Sequence, residues 1–255
     1  MADDTQLPPA IPAATLVLFR DRADGPPDLL IVERARAMVF AGGALVFPGG
    51  RIDPEDYALA AIHIGDDEHG AARIAAIRET IEEAGIAVGL APMPDAAQLT
   101  ALRSGLHAGE PFGALLAGLG LSLDTAALVP FARWLPAHAN MRIFDTLFFL
   151  AALPHGAPEP IVDATENSRV FWMSAQRVID DADAGRATII FPTRRNLERL
   201  AQFASFAAAV DHARSHPVTT VTPWVETRGA ETLLCIPEGI GYPVTTEPMS
   251  GAMRG

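Results

Sequence analysis

The feature that most constrains this chain is the run Arg78-Glu79-Thr80-Ile81-Glu82-Glu83-Ala84-Gly85-Ile86. At about 100° of helix per residue, Glu79, Glu82 and Glu83 fall within one arc of roughly 100°, and Ile74, Ile77, Ile81 and Ala84 gather on the opposite side. The apolar side has to pack against another layer, while the acidic side looks into a cleft or solvent. The helical period starts near Glu68 and stops at Gly85, a glycine placed where a helix ends. Carboxylates three and four residues apart repel one another. A divalent cation that selects hard oxygen ligands, Mg²⁺ or Mn²⁺, resolves that repulsion. Taken alone, adjacent glutamates on a helix are more often a solvated face with arginine neighbours.

Composition narrows what such a helix can serve. The formal net charge is −12, and all 19 basic residues are arginines. That balance argues against a nucleic-acid polymer as partner. The absence of lysine removes the GxxxxGK[ST] phosphate loop and Schiff-base chemistry. A small anionic ligand stays compatible, because an arginine fork or a bound cation overcomes an unfavourable global field locally. The single cysteine, Cys235, allows neither a disulfide framework nor a cysteine zinc cluster within one chain, so metal would sit on oxygen or imidazole. The seven histidines show no HExxH and no paired spacing. No GxSxG elbow supports a serine hydrolase. No apolar run approaches the ~18 uncharged residues of a membrane span, and the acidic, Pro-rich start is unlike a secretory leader. A cytoplasmic protein without a membrane partner is expected.

Along the chain, residues 1–12 read as a disordered leader, 13–244 as the folded domain and 245–255 as a flexible tail. Residues 13–20 (AATLVLFR) and 29–34 (LLIVER) flank the turn-forming DGPPD and read as a β-hairpin. Residues 45–47 form a short strand that meets a sharp turn at Pro48-Gly49-Gly50-Arg51. Residues 94–121 read as a helical insert of illegible role. Strands follow at 128–135 and 143–151, a helix at 174–184, and another over 193–214 with Leu197, Leu200, Phe203 and Phe206 at helical spacing. The end, 218–244, reads as two strands and a turn. The whole is of the α/β (α+β) class.

The Pro48-Gly49-Gly50 turn changes the weight of the glutamates, because glycines let a backbone approach a phosphate or metal site where a Cβ would obstruct. Together the pieces resemble the Nudix box: Gly, five residues, Glu, seven residues, then Arg-Glu-apolar-x-Glu-Glu-x-Gly-apolar. Arg78, Glu79, Glu82, Glu83, Gly85 and Ile86 match its second half, with Thr80 at an apolar position. Gly50 precedes Arg78 by 28 positions where the pattern has 14, an insertion of 14 residues. Counting back from Arg78 places the first box glutamate at Gly70, which leaves Glu68 as the nearest acid. A box interrupted in this way is similar to the branch of Nudix hydrolases that includes the peroxisomal coenzyme A diphosphatases and their bacterial relatives. The runs Phe47 to Asp53 and Arg142 to Phe149, and Glu166 ahead of Trp172, carry that likeness. Of the coenzyme A signature, Leu30, Ile31, Arg34, Gly43 and Phe47 to Gly50 fit, whereas Val32 and Val39 replace a threonine and a second arginine.

The resemblance implies a mixed β-sheet sandwiched between helices, with the helical insert at about 94–121 and a C-terminal helix and strand extension. It implies hydrolysis of a diphosphate linkage in a small nucleoside diphosphate derivative, with Mg²⁺ or Mn²⁺ as cofactor. Coenzyme A or acyl-coenzyme A is the substrate of that branch; NADH, ADP-ribose or a nucleotide sugar are the alternatives. A non-catalytic nucleotide sensor is the rival of another class, against which the complete set Glu79, Glu82 and Glu83 counts. These three are the implied metal ligands, and Arg78 orients their carboxylates. The general base is a helix glutamate or Glu166. Substrate contacts fall to Arg34, Phe47, Gly49, Gly50, Arg142 and Glu166. Arg34 either meets phosphate or pairs on a neighbouring strand, and Arg142 and Asp145 either face the ligand or pin a strand end. A homodimer is compatible with the sequence.

Overall fold

The first strand, β1 (Ile11–Arg20), buries side chains on both faces, with Leu16 and Leu18 on one and Val17 and Phe19 on the other. A strand's side chains alternate, so burial on both faces requires a layer of structure on each. The computed structural model, which describes residues 9–38, 41–65, 67–136, 142–163 and 165–249, supplies both layers. β1 starts at Ile11, inside the segment read as leader, because Ile11 and Pro12 lie parallel to Phe144 and Asp145.

β2 (Asp28–Arg34) returns antiparallel to the end of β1, as the hairpin reading requires. β3 (Leu45–Val46) pairs with β2. β4 (Gly49–Arg51) swings back to the start of β1, with Gly50 opposite Ala14 and Gly49 opposite Thr15. One edge of β1 therefore carries two successive partners, and the sheet forks between β2 and β4. α1 (Pro54–His63) and α2 (Gly70–Ala84) follow, then β5 (Leu90–Ala91). The insert is a pair of helices, α3 (Ala96–His107) and α4 (Phe112–Leu119), closed by β6 (Ser122–Leu123), which pairs with β5. β7 (Val129–Trp134), β8 (Phe144–Ala152) and β9 (Asn167–Ser174) extend the main sheet, and α5 (Ala175–Asp183), α6 (Phe191–Leu200) and α7 (Phe206–Ser215) follow. Four short strands end the chain: β10 (Thr220–Val221), β11 (Trp224–Arg228), β12 (Glu231–Cys235) and β13 (Thr246–Pro248).

The main sheet has eight strands in the order β10-β7-β8-β1-β2-β3, with β4 on β1 and β9 on β2, while β11, β12 and β13 form a small separate sheet. One face packs on α2 through Ile74, Ile77, Ile81 and Ala84, all fully buried, which is the apolar side expected from the sequence. The other face packs on α5, α6 and α7 through Val178, Leu197, Leu200 and Ala209. Mixed strands between helical layers match the expected class. Among the described residues no helix is long and apolar enough to cross a membrane.

Two expectations are corrected, and one helix is added. The helix expected over 193–214 is two, α6 and α7, with Ser205 capping the second by accepting from the Ala208 N–H. Four apolar residues spaced by three drift by about 180° over nine positions, so a straight helix cannot hold Leu197 and Phe206 on one face. α1 went unread because it buries little beyond Asp56, Leu59 and Ala60 and shows no broad apolar stripe. The tail read from residue 245 contributes β13, whose Thr246 and Glu247 pair with Cys235 and Leu234.

Candidate active site

The acidic face of α2 meets the fork in the sheet. Glu83 is 4% exposed, and each carboxylate oxygen is held by a neutral donor: the Gly49 N–H reaches Oε2 at 3.0 Å and Asn167 Nδ2 reaches Oε1 at 3.1 Å. Glu79 lies against Gly50, where an added Cβ would sit 2.4 Å from Cδ and 2.5 Å from Oε1 of the glutamate. An added Cβ on Gly49 would sit 2.4 Å from the Ala14 carbonyl oxygen. Both glycines are there because no side chain fits between β1, β4 and α2.

Beside them the Arg78 guanidinium is buried and fully engaged. Nε and Nη2 donate to the two oxygens of Asp56 at 3.2 and 2.9 Å, Nη2 also to the Arg51 carbonyl at 3.0 Å, and Nη1 to Glu79 Oε1 at 2.7 Å. Glu82 Oε2 is 3.8 Å from Nη1 and Asp53 Oδ2 is 3.6 Å from Nη2. Burial alone would ease the proton off this group, but the bonds to Asp56 and the charge of Glu79 outweigh it and raise its pKa. Thr80 is also fully buried; its hydroxyl donates to the Ala76 carbonyl one turn back.

Burial pushes the Glu79 carboxyl up to about 8, against the opposing charge of Arg78. Burial likewise pushes Glu83 up to about 7, against its hydrogen bonds from Asn167 and Gly49, and it raises Glu82. Carboxylates in such a site hold either protons or a cation. Three hard oxygen donors within one helical turn fit Mg²⁺ or Mn²⁺ in kind. Among the described residues no three His, Cys, Asp or Glu side chains stand grouped as a finished ligand set. Glu79 turns to Arg78 and Glu83 to Gly49 and Asn167, as mutually repelling carboxylates do, so an ion would have to draw them together.

Arg34 ends β2 beside this cluster, 3.8 Å from Glu166 Oε2, and its buried Nε has no partner among the described residues. The ion-pair partner of Arg34 is Glu166, which lies ahead of β9 rather than on a neighbouring strand, and the two residues stand together next to Glu83. Phe47 does not join them. It is 3% exposed and packs with Val17 and Leu45 in the layer facing α5 and α6, so its expected contact with substrate is corrected. Arg142 is exposed ahead of β8. Asp145 accepts two bonds from Arg133 on the adjacent strand, at 2.8 and 2.6 Å, and pins a strand pair. Glu68 is 84% exposed beside His69 at the opposite end of α2, roughly 16 Å along the helix from Glu79, too far to serve as a ligand. Val39 lies outside the described residues.

Two residues of the site went unread in the sequence. Asp56, 1% exposed, holds Arg78 and also accepts from the Asp53 N–H at the start of α1. Counted forward from Gly50, the five intervening residues lead straight to Asp56; the backward count from Arg78 crossed the insertion and missed it. Asn167, 1% exposed, carried no local signal, since a single asparagine in a polar segment is ordinary loop composition.

A mixed sheet between helical layers, with the glutamates of α2 packed against Gly49 and Gly50 of β4, is the arrangement that the resemblance implied. A solved structure, a NUDIX hydrolase from Alicyclobacillus acidocaldarius, superimposes with a TM-score of 0.69 at 28% identity, over 80% of this chain and 96% of that one. A Caenorhabditis elegans protein named "Putative nudix hydrolase 7" is 27% identical over 179 residues, 68% of this chain; the chain spans 56% of that relative's length. No family model matches the chain. Fold and sequence likeness support membership of the Nudix hydrolase superfamily.

The shifted carboxyls give a pH signature. Glu79 and Glu83 have folded pKa values above the ordinary 4.5, so between that pH and about 8 the metal-free folded state holds protons that the unfolded state has released, and stability falls as pH rises. In EDTA, the melting temperature of Glu83→Gln is expected to change less between pH 5.5 and 8 than that of the unaltered protein; equal slopes would show that Glu83 does not carry the effect. The Arg78 clamp is tested separately in urea. Asp56→Asn, which leaves a buried guanidinium short of its counter-charge, should cost about 3–5 kcal/mol, whereas Asp53→Asn, at an exposed cap that asparagine also serves, should cost under about 1 kcal/mol.

Proposed function

We propose that this chain hydrolyses a diphosphate linkage in a nucleoside diphosphate derivative, using a divalent cation held by Glu79, Glu82 and Glu83. The observation that supports this most is the meeting of those three carboxylates on α2 with the Gly49-Gly50 turn, where Gly50 leaves no room for any side chain against Glu79. A Mg²⁺ or Mn²⁺ held by these glutamates would supply charge neutralisation of the diphosphate and polarisation of the bond to be broken. Arg78, fixed by Asp56, acts on the ligand carboxylates rather than on the ion, holding Glu79 through Oε1. The backbone N–H of Gly49 and the amide of Asn167 fix the orientation of Glu83 without neutralising it. Water adds to phosphorus, the bridging P–O bond breaks, and the water's proton passes to a solvent-reached carboxylate. Glu82, 31% exposed, and Glu166, 59% exposed, are the two carboxylates open to that role.

The finer proposal is a coenzyme A-type substrate, cleaved to 3′,5′-ADP and a phosphopantetheine half. It is motivated by the Phe47 to Asp53 run, the Arg142 to Phe149 segment and the placement of Arg34 beside Glu83. The buried Nε of Arg34, without a partner among the described residues, supports it as a contact for a substrate phosphate.

Three measurements decide. The purified protein with Mg²⁺ or Mn²⁺ is screened against coenzyme A, acyl-coenzyme A, NADH, ADP-ribose and nucleotide sugars; a tenfold better kcat/KM for NADH or ADP-ribose would reject the coenzyme A reading and leave the hydrolase standing. Glu82→Gln is expected to abolish turnover with little change in melting temperature, and activity within a few-fold of the original at saturating Mg²⁺ would remove Glu82 from the ligand set. Arg34→Ala is expected to raise KM for coenzyme A by about one to two powers of ten and to leave dephospho-coenzyme A nearly unaffected; equal losses on both would mean that Arg34 does not read the 3′-phosphate.

A further inference from the structure

The helical insert has no part in the chemistry described above, yet it grips the end of the helix that carries the glutamates. α2 has no basic residue in its last turn and stops at Gly85 in the left-handed conformation, φ 65°. Its final carbonyls, at the negative end of the helix dipole, would stand unmatched beside three carboxylates. α3 supplies what is missing. Arg103 Nε donates to the Glu82 carbonyl at 3.0 Å, and its Nη2 lies 3.5 Å from the Glu83 carbonyl. His107 Nε2 is 3.1 Å from the same Glu82 carbonyl, a distance at which its N–H form donates. Gly85 also keeps this corner open, since a Cβ there would lie 3.3 Å from Arg103 Nη1.

Arg103 reaches further. Its Nη2 donates to the Ile161 carbonyl at 2.7 Å, and the Ile161 N–H in turn donates to the Ala84 carbonyl at 2.9 Å. Ile161 opens the segment that delivers Glu166 to Arg34 and Asn167 to Glu83. One guanidinium thus joins α3, the last turn of α2 and the segment that orients Glu83. α3 is a firm base for it: Leu99, Leu102 and Leu106 are buried in the core. α4 closes the frame, with the Gly113 N–H donating to Glu55 Oε1 on α1, next to Asp56.

We infer that Arg103 is a positioning residue, through which the helical insert fixes the carboxylates of Glu82 and Glu83 in the arrangement that binds the divalent ion. This rests on the metal-dependent reading of α2. A residue that only capped a helix would change stability; one that positions ligands changes metal affinity, as groups behind a ligand typically do by about tenfold. Three variants separate the two roles. Arg103→Met keeps the aliphatic stem and removes every donor, Arg103→Lys keeps a charge with a single point donor, and Leu200→Ala removes buried contacts of α6 in the opposite layer of the core.

Mn²⁺ binding is measured calorimetrically without substrate, alongside melting temperature, after chelator treatment and dialysis. Arg103→Met is expected to bind Mn²⁺ about tenfold more weakly, Arg103→Lys to recover part of the loss, and Leu200→Ala to melt earlier while binding Mn²⁺ within twofold of the unaltered protein. Native-like Mn²⁺ affinity in Arg103→Met, or an equal loss in Leu200→Ala, would overturn the positioning role and leave the metal site intact. Should the unaltered protein itself fail to bind Mn²⁺, the metal reading falls and this inference with it.

Discussion

The buried pair of Arg78 and Asp56 is the interaction on which the rest of the site depends. A guanidinium placed 8% exposed inside an acidic protein is tolerable only if its donors are matched, and here Asp56, the Arg51 carbonyl and Glu79 match them. Asp56 has to reach it from α1, so the chain must leave β4 and enter a helix at once. The Arg51 carbonyl has to face α2, so β4 must lie against the start of β1 rather than continue beside β2. The fork in the sheet follows from these requirements, and Gly49 and Gly50 occupy the narrow space that the fork leaves. Glu79 then stands between a cation and a glycine, and Glu83 between two neutral donors.

Much of this was legible in the sequence, and the reason lies in periodicity. Ile74, Ile77 and Ile81 opposite Glu79, Glu82 and Glu83 is a pattern that only a helix with one buried face can satisfy, and the structure places those isoleucines in the core. The close approach at the two glycines was legible, because a glycine pair often marks a place where no Cβ fits, but the turn read there is a bend at Pro48 followed by strand β4 over Gly49–Arg51. Asp56 was not, because 21 residues separate it from Arg78 and no local rule bridges an inserted helix. Asn167 and Arg103 come from segments that meet α2 only through the tertiary fold. Phe47 misled by neighbourhood: although Gly49 and Gly50 follow two and three residues later, its side chain packs with Val17 and Leu45 in the layer away from α2, and the chain bends at Pro48 before β4 begins.

The insert illustrates how an interrupted motif stays whole. The residues between Asp56 and Arg78 form most of α1 and the first half of α2, so the inserted length leaves as one helix and returns as another, and the two ends of the motif meet at 2.9 Å. A second helical pair, α3 and α4, then packs against both, tied to α1 through Glu55 and to α2 through Arg103. The carboxylates of the site stand on short secondary elements whose ends are held from outside the motif, which is how a charged cluster of this density keeps one arrangement.

The central proposal is that Glu79, Glu82 and Glu83 bind one or more divalent cations beside Gly49 and Gly50 of β4. Crystals soaked in Mn²⁺ and measured at the manganese absorption edge test it most directly. The expected result is an anomalous peak within about 2.5 Å of carboxylate oxygens from at least two of the three glutamates. A fully soaked crystal with no peak on α2, or with its peak held by other residues, would contradict the assignment.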